Sequence, residues 1–358
     1  MPVITLPATD ALARLDDFHT IIDARSEDEH ALDHVPGAVN WPTLNNEERI
    51  AIGTMYKQVN AFEAKKRGAA LAAKNIAAHI EREVIDKARD WKPLVYCWRG
   101  GNRSGALATI LGAIGFQVTL IEGGYKAWRA ALVDDLARMA PRLEYRVICG
   151  PTGSGKTRLL HALAAQGAQV LDLEALAAHR SSVLGHIPGH PQPSQKRFDS
   201  LVWQALRRFD PAQVVYVESE SKKVGNLRVP DGLMEAMRKS PCVDLRLSDS
   251  ERVALLLEDY DFFVQDPTHF CERLEALTEL RGKAVVSDWI AKVHAGETPW
   301  VVQELLTRHY DPMYAQSIER NFRQYAHALP LELPDRTPAS FAGVASTLIS
   351  RGSTAPVN

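Results

Sequence analysis

The chain has 358 residues, 46% of them hydrophobic, enough to bury sizeable cores in two domains or three. Its 42 basic and 44 acidic side chains leave a formal net charge of −2, which excludes a bulk polycation, so a nucleic acid would have to meet a local patch. Four widely spaced cysteines, Cys97, Cys149, Cys242 and Cys271, form no C-x-x-C pair, which argues against a zinc site or a disulfide framework and for reduced thiols in a cytoplasmic enzyme. The first ten residues, MPVITLPATD, carry no basic and apolar leader, and no apolar run approaches ~18 residues, so neither a signal peptide nor a membrane span is expected.

Residues 1–138 alternate short apolar strands with helical segments, the pattern of an α/β domain. Strands are predicted over 20–23, 94–97 and 118–121. One long or two shorter Ala-rich helices are predicted over 62–90, and further helices over 105–114 and 128–139. The stretch Tyr96-Cys97-Trp98-Arg99-Gly100-Gly101-Asn102-Arg103-Ser104 lies where a strand ends and a helix begins. Two glycines there let successive backbone N–H groups turn inward as an anion-binding nest, and the helix dipole points at the same place. Arg99 and Arg103 add positive charge. That field favours the thiolate form of Cys97, which suits a nucleophile or a carrier of a soft group such as sulfur or selenium.

This loop resembles the active-site loop of rhodanese-like domains. Three further stretches match in order: Asp23-Ala24-Arg25-Ser26 after an early strand, His34-Val35-Pro36-Gly37-Ala38-Val39-Asn40, and Glu122-Gly123-Gly124-Tyr125 with Trp128 beyond it. The loop departs from many sulfur-transferring members in having five residues between Cys97 and Arg103 rather than four. Rhodanese-fold phosphatases share the longer loop, which keeps a phosphatase reading open.

A linker is expected over 139–144, around Pro141, and a second α/β pattern over 145–330. Strands are predicted at 145–149, 169–173, 214–219 and 243–247, and a helix over 156–166 ending at Gly167. Residues 249–263 read as amphipathic, and 271–295 and 299–325 as mostly helical. The segment 331–358 is set apart as a C-terminal piece whose end, from Ser353, is expected to be loose. Gly150-Pro151-Thr152-Gly153-Ser154-Gly155-Lys156-Thr157 fits G-x-x-x-x-G-K-[ST] completely, with a strand before it and a helix after it. Gly150, Thr152, Gly153, Ser154 and Gly155 would cradle phosphate with backbone N–H groups, Lys156 would add a point charge, and Thr157 would ligate Mg²⁺. Glu218, ending an apolar run, is the first candidate for a second metal ligand and Asp172 the next. A buried structural carboxylate or a helix cap is an equally good reading of either.

Between residues 179 and 230 eight basic side chains face four acidic ones. Arg180, Lys196, Arg197, Arg207 and Arg208, with His179, His186 and His190 nearby, are read as a phosphate or RNA contact surface. The polar, proline-containing stretch 186–196 is read as a loop belonging to that surface.

The order of the two halves, the CWRGGNRSG and GPTGSGKT loops, and the stretches LDLEALAAHRSSVLG and QPSQKRF together resemble the tRNA 2-selenouridine synthase family. The resemblance runs from about residue 21 to about residue 325. It implies a rhodanese-like domain followed by a P-loop domain with a helical C-terminal part. It also implies a transferase acting on the anticodon region of tRNA, replacing sulfur by selenium in 2-thiouridine at the wobble position. Selenophosphate and geranyl diphosphate would be substrates, S-geranylation would precede the exchange, and no tightly bound cofactor beyond Mg²⁺ is expected. The alternative is a P-loop kinase or NTPase carrying a regulatory rhodanese-like module.

Overall fold

The computed structural model describes residues 3–180, 185 and 189–352. His186 and the tail from Ser353 lie outside the described residues. The chain divides into two compact units, Met1–Arg138 with Pro193–Gln204, and Met139–Gln192 with Ala205–Asn358. Both are α/β, as the alternation of patterns predicts.

The first unit is built on a parallel sheet of β1 (Ile4–Leu6), β2 (Thr20–Asp23), β3 (Ala38–Asn40), β4 (Pro93–Tyr96) and β5 (Thr119–Ile121), in the order β1-β5-β4-β2-β3. The predicted strands appear within a residue or so of their expected ends. The edge strands β1 and β3 add to the predicted set; three residues are too few to show a period-2 pattern. The 62–90 stretch resolves into Ala61–Glu83, capped by the Asn60 side chain, and a preceding helix Asn46–Gln58 is capped by Asn45. Trp41, Ile76, Trp91, Val95, Leu107, Leu111 and Phe116 fill the core.

The second unit carries β6 (Tyr145–Cys149), β7 (Gln169–Leu171), β8 (Val215–Glu218), a short antiparallel pair β9 (Lys223–Val224) and β10 (Leu227–Arg228), β11 (Cys242–Arg246) and β12 (Leu329–Glu332). Its main sheet is parallel, ordered β12-β11-β6-β8-β7. The segment from residue 331, set apart in the sequence, is integral here: β12 extends the sheet beside β11. Helix Pro338–Gly352 packs on helix Lys156–Ala165 through Phe341, Ala345 and Leu348. Residues 249–321 form short helices around a second apolar centre at Phe263, Phe270, Leu274, Trp289 and Val301.

One element changes allegiance. Residues 195 and 196, expected to close the polar loop, instead begin the helix Gln195–Leu206, and its part through Gln204 belongs to the first unit. Trp203 stacks edge-on against Trp128 at 6.2 Å and donates its indole N–H to Asp135 Oδ2 at 2.9 Å. Ser200 donates to Asp33 Oδ2 at 3.1 Å, and Arg129 binds Asp199. Trp203 is fully buried, so Trp203→Ala should destabilise this unit by about 3–5 kcal/mol, read as a lower urea midpoint; a loss below ~1 kcal/mol would remove the helix from the core.

Candidate functional site

Cys97 comes directly after β4 and lies under the first turn of helix Asn102–Ile114. Its Sγ accepts a hydrogen bond from the Ser104 hydroxyl at 3.1 Å and stands 3.9 Å from the Gly101 carbonyl oxygen. The loop is closed from the far side by residues 123–125. Tyr125 N donates to Cys97 O at 2.8 Å, and Lys126 N donates to Trp98 O at 3.1 Å. Gly124, at φ +60°, packs so tightly that a Cβ there would fall on Cys97 O and Gly100 N. This close approach accounts for Gly124, while at Gly123, φ +68°, a Cβ would fall 2.6 Å from that of Ala127.

Below the loop is a buried polar network. Arg25 pairs with Asp23 through Nη2–Oδ2 at 2.6 Å and Nε–Oδ1 at 2.9 Å. It donates to Asp33 O at 2.7 Å and stacks over the Tyr125 ring at 4.0 Å. Tyr96 donates to Asp23 Oδ2 at 2.9 Å, and Tyr125 donates to Asp33 Oδ2 at 2.6 Å. Burial pushes the Asp23 carboxyl up, yet hydrogen bonds from His30 and Arg25 and the Arg25 charge outweigh it and hold it below the usual carboxylate range.

The arginines of the loop are placed differently from one another. Arg99 is exposed. Arg103 binds Glu29 at 2.7 Å, and Glu29 also binds Arg49 at 2.8 Å. Burial raises the Glu29 carboxyl, and Arg103 and Arg49 pull it below its ordinary value. Lys196, on the helix contributed by the later part of the chain, holds its Nζ 5.7 Å from the Trp98 ring centroid. The basic candidates divide accordingly. Lys196 and Arg197 belong to the first unit, while Arg180, Arg207 and Arg208 belong to the second. Arg180 is engaged, its guanidinium bonding Asp259 O and stacking on Tyr260 at 4.5 Å.

In the second unit Gly150–Gly155 join β6 to helix Lys156–Ala165, with Gly153 and Gly155 at φ +79° and +85°. Tyr314 accepts from Gly150 N at 2.6 Å. Arg252, buried, donates twice to Thr152 O at 2.8 and 3.0 Å and pairs with Asp311 at 2.6 Å, fixing the loop from behind. Lys156 Nζ rests on the Gly150 and Pro151 carbonyl oxygens at 2.9 and 3.4 Å. Ser154 is buried at the loop's centre.

Glu218 ends β8 with its Cα paired to that of Ile148, two residues before Gly150. Its carboxyl group hydrogen-bonds the Thr157 side chain. Burial, then the neighbouring Glu174 and Glu220 charges, push its pKa well above the ordinary value, against the opposing pull of Lys156. Asp172, the other metal candidate, caps helix Leu173–Ala177 by accepting from Ala175 N at 2.8 Å and faces His161 at 3.2 Å.

Two features escape a reading of the sequence. Glu174 and Glu220 join Glu218, each offering a carboxylate oxygen within 4.8 Å of the others. Their trace is the carboxylates spaced two apart, Asp172/Glu174 and Glu218/Glu220, at strand ends. The second feature is an apolar pocket reaching P-loop residue Thr152, walled by Leu256, Tyr260, Phe263, Val302, Leu305 and Tyr310. It is assembled from several short helices, so no contiguous motif marks it.

Comparison with known proteins agrees with both units. Residues 143–280 match the family described as the tRNA 2-selenouridine synthase AAA domain, and residues 7–131 match the rhodanese-like domain. The chain is 36% identical over 244 residues to the tRNA 2-selenouridine synthase of Nitrosomonas europaea, an alignment covering 67% of this chain and 63% of that relative. It is 32% identical over 333 residues to the Alcanivorax borkumensis protein of the same name, covering 84% of this chain and 90% of the relative. The Marinobacter nauticus protein of that name is 31% identical over 324 residues, with 82% and 87% covered.

The network under the Cys97 loop has a pH signature. A carboxyl held low in the folded state contributes stability that is complete above its unfolded-state pKa, ~4, and is lost as pH falls through the folded value. Urea midpoints measured from pH 7 downward should therefore fall below about pH 4 in the unaltered protein. Asp23→Asn leaves Arg25 buried without its counter-charge and should cost about 3–5 kcal/mol at pH 7 while flattening that acid limb.

Proposed function

Because the chain belongs to the tRNA 2-selenouridine synthase family, we propose that it replaces sulfur by selenium in 2-thiouridine at the tRNA wobble position, in the cytoplasm, with selenophosphate as donor. We further propose that S-geranylation from geranyl diphosphate prepares the sulfur for displacement. The observation that carries this reading is the apolar cavity beside Thr152. A phosphate cradle opening onto aliphatic and aromatic walls suits a diphosphate with an isoprenoid tail better than a polar nucleoside.

The chemistry gives each site a separate task. A thiocarbonyl sulfur is a poor leaving group. In the first step it attacks the allylic carbon, a C–S bond forms and the C–O bond to diphosphate breaks. Lys156 and the N–H groups of Thr152, Gly153 and Gly155 stabilise charge developing on the departing diphosphate, the Gly150 and Ser154 N–H groups being given to Tyr314 and the Pro151 carbonyl oxygen. In the second step the selenium of selenophosphate forms a C–Se bond at carbon-2 as the C–S bond breaks and geranylthiol leaves, and water then cleaves the P–Se bond and releases phosphate. The role proposed for Cys97, with the loop amides and the Ser104 hydroxyl that donates to its Sγ, is to hold the selenium donor for this step. The Thr157 hydroxyl and the Glu218 carboxyl are hard oxygen donors that fit a Mg²⁺ ion beside the diphosphate, Glu218 Oε1 being buried with no hydrogen-bond partner among the described residues. Such an ion supplies Lewis-acid stabilisation of the leaving oxygen. Arg180, Lys196, Arg197, Arg207 and Arg208 remain the proposed phosphate contacts for tRNA.

Mass spectrometry of wobble nucleosides tests the division. Lys156→Ala should slow geranylation roughly 100- to 1,000-fold, leaving 2-thiouridine. Cys97→Ala should instead accumulate S-geranyl-2-thiouridine, and Lys156→Ala enzyme should selenate that tRNA when it is supplied. If Cys97→Ala stops at 2-thiouridine, one composite site replaces two.

Filling the cavity gives a separate test. Val302→Trp should lower geranylation by about ten-fold or more while leaving selenation of pre-geranylated tRNA unchanged. Equal loss of both activities would detach the cavity from the isoprenoid.

A further inference from the structure

A P-loop usually acquires its divalent cation together with the phosphates it binds, because one hydroxyl and one carboxylate are too few protein ligands for a hard, strongly hydrated ion. This chain offers more. Glu218 closes β8, Glu220 comes two residues later, and Glu174 lies in the first turn of helix Leu173–Ala177 after β7, the strand beside β8. One carboxylate oxygen from each comes within 4.8 Å of the other two. Two ligands on opposite sides of a cation, each at about 2.4 Å, stand about 4.8 Å apart, so the three oxygens are within the span of one ion.

The buried carboxyl of Glu218 points to the same conclusion independently. Glu218 is only 4% exposed, and its Oε1 has no hydrogen-bond partner among the described residues. A buried carboxylate oxygen left in this condition is costly unless something positive meets it. Glu220 is also buried, at 3% exposure, and brings a second acidic group to the place. Lys156 faces Glu218, and its Nζ is held by the Gly150 and Pro151 carbonyl oxygens. Thr157, hydrogen-bonded to Glu218, connects the cluster to the P-loop.

We propose that Glu174, Glu218 and Glu220 form a resident site for a divalent cation of the magnesium, manganese or calcium kind, filled before any phosphate ligand arrives. An all-oxygen donor set selects hard cations over zinc or copper. The site goes beyond a cation held by Thr157, Glu218 and substrate phosphate, because Glu174 and Glu220 supply ligands that are present without substrate. A cation held there presents the incoming diphosphate with a preformed positive centre next to Lys156.

The test uses Mn²⁺ and the full chain, with no RNA, phosphate or isoprenoid in the solution, so its outcome is independent of which reaction the P-loop serves. Free Mn²⁺ is followed by electron paramagnetic resonance during titration. The unaltered protein should bind one Mn²⁺ per chain, with competition by Mg²⁺. Glu174→Gln and Glu220→Gln should each weaken binding about 10- to 100-fold. A thermal melt of each variant without metal verifies folding, and the stabilising shift given by Mn²⁺ should be present in the unaltered protein and absent in Glu174→Gln. Absence of Mn²⁺ binding by the unaltered protein overturns the proposal. So does binding by the two glutamine variants at its affinity.

Discussion

The buried Asp23–Arg25 pair governs the geometry of the Cys97 loop. Arg25 is 1% exposed and Asp23 fully enclosed, so neither charge has water to fall back on. The pair is tolerated because both partners find further company: His30 and Tyr96 bind Asp23, and Asp33 O and the Tyr125 ring meet Arg25. Tyr96 precedes Cys97 in the chain, and Tyr125 N binds the Cys97 carbonyl. Thus both supports of the Cys97 loop are attached to one ion pair, which explains how a glycine-rich loop keeps a defined shape.

The P-loop has the same logic with different parts. Its glycines permit a tight path, and an arginine behind it, Arg252, fixes that path by binding the Thr152 carbonyl and Asp311. In both units the candidate site lies just past the carboxyl ends of parallel strands, Cys97 after β4 and the glycine-rich loop after β6, with Glu218 ending β8. Parallel strands leading into helices bring backbone N–H groups and helix N-termini to that edge. Two such edges in one chain suit two anionic partners of different softness.

The legible parts of the protein are those written contiguously. The Cys97 loop and the P-loop are runs of eight or nine residues whose glycines, charges and flanking strand and helix all fall within one window, so their strand-to-helix settings are recognisable without the fold. The illegible parts are assembled across distance. Nothing near Glu174 announces that it will meet Glu218 and Glu220, because the meeting is made by β7 lying next to β8. The cavity walls come from helices spread over residues 256–310. The helix 195–206 has a clear apolar face in Phe198, Val202, Trp203 and Leu206, but an amphipathic pattern says that a face is buried and not which unit buries it.

That last point alters how the basic candidates are understood. Lys196 and Arg197 come about forty residues after the P-loop in sequence and yet sit in the unit of Cys97, with Lys196 beside Trp98 in the Cys97 loop itself. The chain therefore leaves the first unit after Arg138, returns to it at Pro193 and leaves again after Gln204. A fragment ending in the expected linker at 139–144 would lack Ser200 as a partner for Asp33 and Trp203 as a cover for Trp128. Asp33 also holds Tyr125, whose backbone N–H closes the Cys97 loop. Removing the later helix would thus loosen a contact two steps from the thiol. The boundary read from composition is a boundary in sequence, while the folding unit around Cys97 needs residues from both sides of the P-loop.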